Sequence, residues 1–217
     1  MRAPLACLAL ALSAAGLTAA GAAPLSLGTT RCAGPFPTLE AACPGCVERA
    51  SLRAPPAPWL EVRVSAQGDF KRPPSRENAV HHYLVVRLPS GWWRQEVGRD
   101  VDFEGALTTS WPRPPEARDV LPGTGAELLI EVEQQTRVPT ADGEGWSQTD
   151  RRTLHLCGVG PSGAPSCTEV ETYRFAGGLR AEARDTPVTF NKQSEIVVSG
   201  QDGGRPIKPR HYRVDFP

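Results

Sequence analysis

The sequence predicts an all-β fold, an antiparallel β-sandwich or barrel of about ten short strands with a disulfide-stapled N-terminal arm. Apolar and polar residues alternate with a period of two in several runs, which is typical of half-buried strands. Clusters of glycine, proline, asparagine and serine separate these runs and indicate tight turns. The long amphipathic helices that a parallel α/β sheet needs as crossovers are missing from the sequence.

Residues 1–22 have the composition of an export signal. A short positive start, Met1-Arg2, precedes an apolar run from Ala3 to Leu17, and small residues follow. Ala20 and Ala22 fit the small side chains that signal cleavage requires, so we expect the mature chain to begin at residue 23. The apolar run is shorter than the roughly 20 residues of a transmembrane helix. We therefore expect an exported protein, in the periplasm, at the cell surface or outside the cell, with no transmembrane segment after signal cleavage.

The charge balance bears on the class of partner. The chain has 24 basic and 24 acidic side chains, and lysine occurs only at Lys71, Lys192 and Lys208. A dedicated nucleic-acid-binding protein carries a clear basic excess, so the sequence argues against that class. The arginine, alanine, glycine and proline bias is typical of a GC-rich genome, and we interpret the source as bacterial.

Residues 23–58 form a cysteine- and proline-rich arm. Thr38 to Ala42 fits one helical turn with Thr38 as its cap, and Pro55 to Pro58 favours an extended exit. In an oxidising compartment we expect Cys32 to pair with Cys43 or Cys46, which leaves the third cysteine free or paired elsewhere.

The body of the protein, residues 59–217, is expected to be one β-domain. The segments 80–88 and 92–97 predict a hairpin, because Pro89-Ser90-Gly91 separates them. The segment 126–137 is bounded by Gly125 and Pro139, and we favour a strand there over a helix. The other expected strands are 60–64, 101–108, 146–157, 167–175, 179–184, 187–190, 195–199 and 207–216, and the proline-rich segment 111–124 is expected to be a loop.

The hairpin from Trp146 to Phe175 is the most distinctive element. Cys157 ends its first strand and Cys167 opens its second, with a glycine- and proline-rich loop between them. Residues opposite each other on antiparallel strands lie within disulfide reach, so we predict a Cys157–Cys167 bridge. Closing so short a loop stabilises the fold by about 2.8 kcal/mol in the chain-entropy model. Polar flanking residues indicate that the hairpin is exposed.

Three tryptophans are candidates for ligand binding. Trp92 and Trp93 are adjacent on a strand, so one should face the core and the other should face solvent. Trp111 lies in the proline-rich loop, where an indole could also stack on a sugar ring. The four histidines, His81, His82, His155 and His211, show no spacing that requires a shared metal ion.

The motifs point to binding rather than to a reaction. No nucleophile elbow, phosphate loop or zinc-protease motif occurs, and no cofactor is expected. We therefore expect a non-enzymatic, exported β-domain that binds a protein or glycan partner. One alternative is a carbohydrate-binding module that uses exposed tryptophan. A second is a thiol–disulfide oxidoreductase that uses Cys43 and Cys46, whose spacing matches thioredoxin-like sites. Enzymes with dispersed catalytic residues carry no such motifs, so this class stays open.

Overall fold

The computed structural model describes residues 25–75, 77–102, 106–121, 125–140, 145–177, 182–191 and 195–217. It confirms the all-β, antiparallel class. The described residues form sixteen strands and one short helix, α1 (Leu39–Ala42). This exceeds the expected strand number because several strands have only two to four residues. The predicted signal, residues 1–22, lies outside the described residues. Within the described part, no helix has the length and hydrophobicity needed to cross a membrane.

The strand bounds are as follows. The first half of the chain contains β1 (Leu25–Leu27), β2 (Thr30–Arg31), β3 (Ala33–Phe36), β4 (Val47–Leu52), β5 (Glu61–Gln67), β6 (Val80–Leu88), β7 (Gly91–Asp102) and β8 (Ala106–Ser110). The second half contains β9 (Glu116–Arg118), β10 (Glu127–Pro139), β11 (Trp146–Val159), β12 (Pro165–Ala176), β13 (Glu182–Asp185), β14 (Val188–Phe190), β15 (Ile196–Asp202) and β16 (Arg205–Val214).

All strands belong to one hydrogen-bonded sheet. Its main path runs β1-β16-β15-β13-β12-β11-β10-β8-β7-β6-β5-β4. The short strands β2, β3, β9 and β14 join this path at β12, β7, β10 and β15. The described pairs are antiparallel except β1 with β16, which is parallel. Strands β10, β11 and β12, with 13, 14 and 12 residues, therefore lie at the middle of the path.

Both faces of β10–β12 are buried over part of their length. Successive side chains along a strand point to opposite faces of the sheet, so consecutive residues belong to two different clusters. On one face, Ile130 and Cys157 pack with Trp59, Leu84 and Trp93 from the β5–β7 region. On the opposite face, a second cluster contains Leu121, Leu156, Val170, Ile196, Val198, Val214 and Phe216.

The N-terminal arm packs on the sheet at several points. Strand β3 pairs with β7, β4 pairs with β5, and β2 pairs with β12. Helix α1 begins after Thr38, whose hydroxyl accepts a hydrogen bond from the N–H of Ala41 at 3.1 Å. This confirms the predicted helical turn and its cap. Ala42 and Cys43 then pack against Val85 and Trp92, so the arm covers the outer face of β6 and β7.

Most local expectations agree with the structure, and the differences are informative. The segment 126–137 is a strand, as favoured, and the 80–97 hairpin is present. The expected loop 111–124 contains strand β9, which forms because it pairs with β10. Leu60 precedes β5 and is 55% exposed, so it does not share the buried face of Val62. Residues 103–105 of the expected strand 101–108 and residues 179–181 of the expected strand 179–184 lie outside the described residues.

Candidate functional site

The predicted hairpin and its bridge are present. Cys157 and Cys167 face each other in the β11–β12 register and form a disulfide. The loop is less exposed than expected, because the end of the chain lies against it. The ring of Phe216 packs over Gly158, and the hydroxyl of Ser162 donates a hydrogen bond to the carbonyl of Pro217 at 2.7 Å.

The expected pairing of Cys32 is wrong. Cys43 forms a disulfide with Cys46, and Cys32 is a free, buried thiol. Strand β2 places Cys32 beside the hairpin, where its N–H donates to the carbonyl of Pro165 at 2.9 Å. Its Sγ atom lies 3.9 Å from Sγ of Cys167. Three sulfur atoms therefore meet in a buried site. Burial raises the pKa of the Cys32 thiol to about 12, which favours its protonated form.

The geometry around Cys43 and Cys46 gives little support to thioredoxin-like chemistry. Such a site acidifies its first cysteine with the N-terminus of a following helix. Here α1 ends at Ala42, and Cys43 lies at its C-terminal cap. Cys43 is only 2% exposed, which limits the access of a substrate thiol.

The expected solvent-facing tryptophan is not present at position 92 or 93. Trp93 is 3% exposed in the cluster between β5–β7 and β10–β12, and Trp92 is 9% exposed beneath the arm. The two indoles do point to opposite faces, but both faces are covered. Trp111 is half-buried against the core. The exposed tryptophan of the described chain is Trp146, at 67%, which the sequence analysis did not single out.

Each histidine lies beside a carboxylate on a neighbouring segment. The shortest nitrogen–oxygen distances are 3.0 Å for His81–Glu96, His82–Asp100 and His211–Glu195, and 3.6 Å for His155–Glu169. His155 is 3% exposed. Burial lowers the pKa of His155, although the Glu169 carboxylate acts in the opposite direction. Among the described residues, no group of three or more potential metal ligands is found.

A cleft lies beside the middle of the sheet. We call it the lateral cleft, and its volume is about 830 Å³. Its floor is the face of β10–β12 that also carries the cluster around Leu156, and strands β9 and β14 with their flanking residues contribute to its walls. The lining residues are Arg113, Pro114, Glu116, Arg118, Asp119, Val120, Leu129, Glu131, Arg152, Leu154, Thr172, Tyr173, Asp185, Pro187, Val188, Thr189, Phe190 and Asn191.

The lateral cleft combines an apolar floor with charged walls. Leu129 and Leu154 provide floor positions, because the alternation that turns Leu128 and Cys157 toward the Trp93 cluster turns these residues to the opposite face. The guanidinium of Arg152 lies over the ring of Tyr173, 5.2 Å from its centroid. Arg152 also approaches Glu133 at 3.4 Å. This arrangement presents an aromatic ring, a fixed cation and aliphatic surface side by side.

Some of the charged side chains in the lateral cleft form ion pairs with each other. Arg113 lies 3.7 Å from Glu131, and Arg118 lies 3.5 Å from Glu116. Glu131 of β10 and Glu116 of β9 therefore have arginine partners. No local sequence pattern indicates this cleft, because its lining comes from segments up to 78 residues apart in the chain, from Arg113 to Asn191, that only the strand pairing brings together.

Comparisons with known proteins found no match. No protein-family model, no curated protein and no solved structure matches the chain. Among the described residues, the lateral cleft brings apolar, aromatic and charged groups together in one cavity.

Proposed function

We propose that the chain is an exported, non-enzymatic β-domain protein that acts by binding a protein partner in the lateral cleft. The observation that carries this proposal is the combination of apolar floor, aromatic ring and arginine in one open cavity. Two disulfides and the signal-like residues 1–22 support the exported part of the proposal.

The size and composition of the cleft support binding. A volume of about 830 Å³ falls within the range of sites that enclose a ligand or an anchoring segment of a partner. Protein interfaces have an apolar centre and a polar rim, and arginine and tyrosine often supply much of their binding energy. Leu129 and Leu154 correspond to such a centre, and Arg152 with Tyr173 corresponds to such an anchor pair.

The alternatives gain less support from the geometry. A carbohydrate-binding surface needs exposed aromatic rings, but Trp92 and Trp93 are buried. Trp146 is exposed, but it does not line the lateral cleft. A glycan array probed with the wild-type protein, with Trp146→Ala as the variant, tests that alternative directly.

A displayed random-peptide library tests the proposed function. We would select peptides on the folded, oxidised wild-type protein and measure their affinity for Tyr173→Ala and Leu154→Arg. The matched control is Trp146→Ala, which removes an exposed ring outside the cleft. We expect the selected peptides to lose at least about 10-fold in affinity on the two cleft variants and to keep it on the control.

The proposal fails on either of two results. One is that no peptide is enriched over a blank surface. The other is that the enriched peptides bind Tyr173→Ala as tightly as wild type. Because Leu154→Arg could disturb folding, far-ultraviolet circular dichroism must first show an unchanged β spectrum, and Tyr173→Ala alone decides the outcome if it does not.

A further inference from the structure

The geometry points to strand addition as the way the lateral cleft holds its partner. An extended peptide segment with a basic side chain would pair with the free edge of β14 and lay alternate side chains on the cleft floor. This inference rests on the proposed function and deepens it, because it states the backbone conformation and the charge of the partner.

The lateral cleft contains two edge strands. Among the described strands, β9 is hydrogen-bonded to β10 alone and β14 to β15 alone. Residues of both strands line the cleft. An edge strand presents unpaired N–H and C=O groups, and an added strand can satisfy them.

The hydrogen bonds of β14 show which of its groups are free. Asn191 donates to the carbonyl of Glu195 at 3.1 Å, and the carbonyl of Pro187 accepts from Ser199 at 3.4 Å. Bonded positions alternate along an antiparallel strand, so Thr189 also points its backbone groups toward β15. The N–H and C=O groups of Val188 and Phe190 therefore point to the opposite, free edge.

Charge favours a basic segment. The four carboxylates of the cleft lining outnumber its three arginines. Each of those arginines lies within 4.0 Å of a glutamate. Asp119 and Asp185, in contrast, have no cationic partner within that distance among the described residues. A lysine or arginine of an added strand could pair with either aspartate.

The edge of β14 differs from another free edge of the sheet. The first part of β16 extends beyond its short pairing with β1, and it carries Pro206 and Pro209. Proline removes backbone donors and is one way in which proteins prevent unwanted strand pairing. Strand β14 has the sequence Val-Thr-Phe and contains no proline, so its edge keeps its donors.

N-methylated peptides distinguish strand addition from binding by side chains alone. The parent is the tightest library peptide that depends on Tyr173. Two derivatives carry N-methyl groups at odd or at even positions, and each removes one set of alternate N–H donors. Because only one set faces β14, we expect one derivative to lose at least about 10-fold in affinity and the other to bind nearly as well as the parent. Equal affinities, or equal losses, would overturn strand addition.

Matched variants of the protein test the same edge from the other side. Val188→Pro removes the free backbone N–H of residue 188 and leaves the hydrogen bonds between β14 and β15 unchanged. Val188→Ala shortens the same side chain but keeps this N–H. We expect the proline variant to lose at least about 10-fold more affinity for the parent peptide than the alanine variant. Equal affinity of these two variants overturns strand addition. If the proline variant does not fold, the binding of the N-methylated peptides to the wild-type protein decides the outcome.

The two proposals fail in different ways. If no selected peptide depends on Tyr173 for its affinity, both the proposed function and this inference are wrong. If peptides that need Tyr173 are found but their two N-methylated forms bind equally well, strand addition is wrong and the cleft is still a binding site. Replacement Asp185→Asn tests the charge: we expect weaker binding of a parent peptide that contains lysine, and an unchanged affinity contradicts the basic partner.

Discussion

Replacing Cys157 by serine should create a different disulfide. The change frees Cys167, whose Sγ atom lies 3.9 Å from Sγ of Cys32. Strand β2 pairs with β12 at this point, Thr30 opposite Cys167, so the backbone already holds the two cysteines close together. A disulfide needs about 2.05 Å between its sulfur atoms, so the two sulfur atoms must move about 2 Å closer together. With oxidised glutathione as oxidant, we expect Cys157→Ser to form a Cys32–Cys167 bridge.

The two bridges differ in how much they restrict the unfolded chain. The native bridge joins residues 10 apart in sequence, which corresponds to about 2.8 kcal/mol in the chain-entropy model. The new bridge joins residues 135 apart, which corresponds to about 5 kcal/mol in the same model. A buried serine hydroxyl costs about 1–3 kcal/mol by itself. The proper reference is therefore Cys32→Ala/Cys157→Ser, which contains the same serine at position 157, adds no second hydroxyl and forms neither bridge.

Two measurements check this expectation. Mass spectrometry of a non-reduced digest should show peptides containing Cys32 and Cys167 linked. Urea unfolding followed by tryptophan fluorescence should give oxidised Cys157→Ser a free energy of unfolding about 5 kcal/mol above that of the double variant. The reasoning is refuted if both thiols stay open to alkylation after oxidation, or if the two variants unfold at the same urea concentration.

Two further predictions concern buried groups. Burial raises the pKa of Cys32 from 9.0 to about 12, so the stability that its neutral thiol provides is complete below pH 9 and is lost at about 1.4 kcal/mol per pH unit as the pH rises toward 12. The free energy of unfolding of wild type minus that of Cys32→Ala, measured by urea titration at each pH, should show this slope, and a flat difference contradicts it. Trp92→Ala should lower the free energy of unfolding by about 3–5 kcal/mol, because the ring is buried beneath the arm. Trp146 is exposed, so Trp146→Ala should change this free energy by less than about 0.5 kcal/mol. Similar losses for both variants in urea unfolding would contradict a structural role for Trp92.

Local pattern was enough to predict the strands and the main hairpin. The alternation in 80–88, the glycine and proline residues around 126–137 and the spacing of Cys157 and Cys167 depend on neighbours in sequence. Interactions of this range leave a visible period in the chain. The helical turn after Thr38 was predictable for the same reason, since its cap and its N–H donor are three residues apart.

Long-range packing was not predictable in the same way. Alternation correctly placed Trp92 and Trp93 on opposite faces, but it could not show that Ala42 and Cys43 would cover one of them. The pairing of Cys32 failed because proximity in sequence to Cys43 and Cys46 does not measure proximity in space. The lateral cleft depends on the register of strands far apart in the chain, for which a single sequence contains no local signal.

The parallel pair of β1 and β16 has a mechanical consequence. Leu25 lies opposite Tyr212 and Leu27 opposite Val214, so the two strands run in the same direction. Tension applied between residue 25 and residue 214 would pull these strands along their own axes in opposite directions. The hydrogen bonds of the pair would then share the load, whereas the bonds of a hairpin pulled open from its ends break one after another. The first and last described strands thus form a clamp that resists stretching of the domain along the chain.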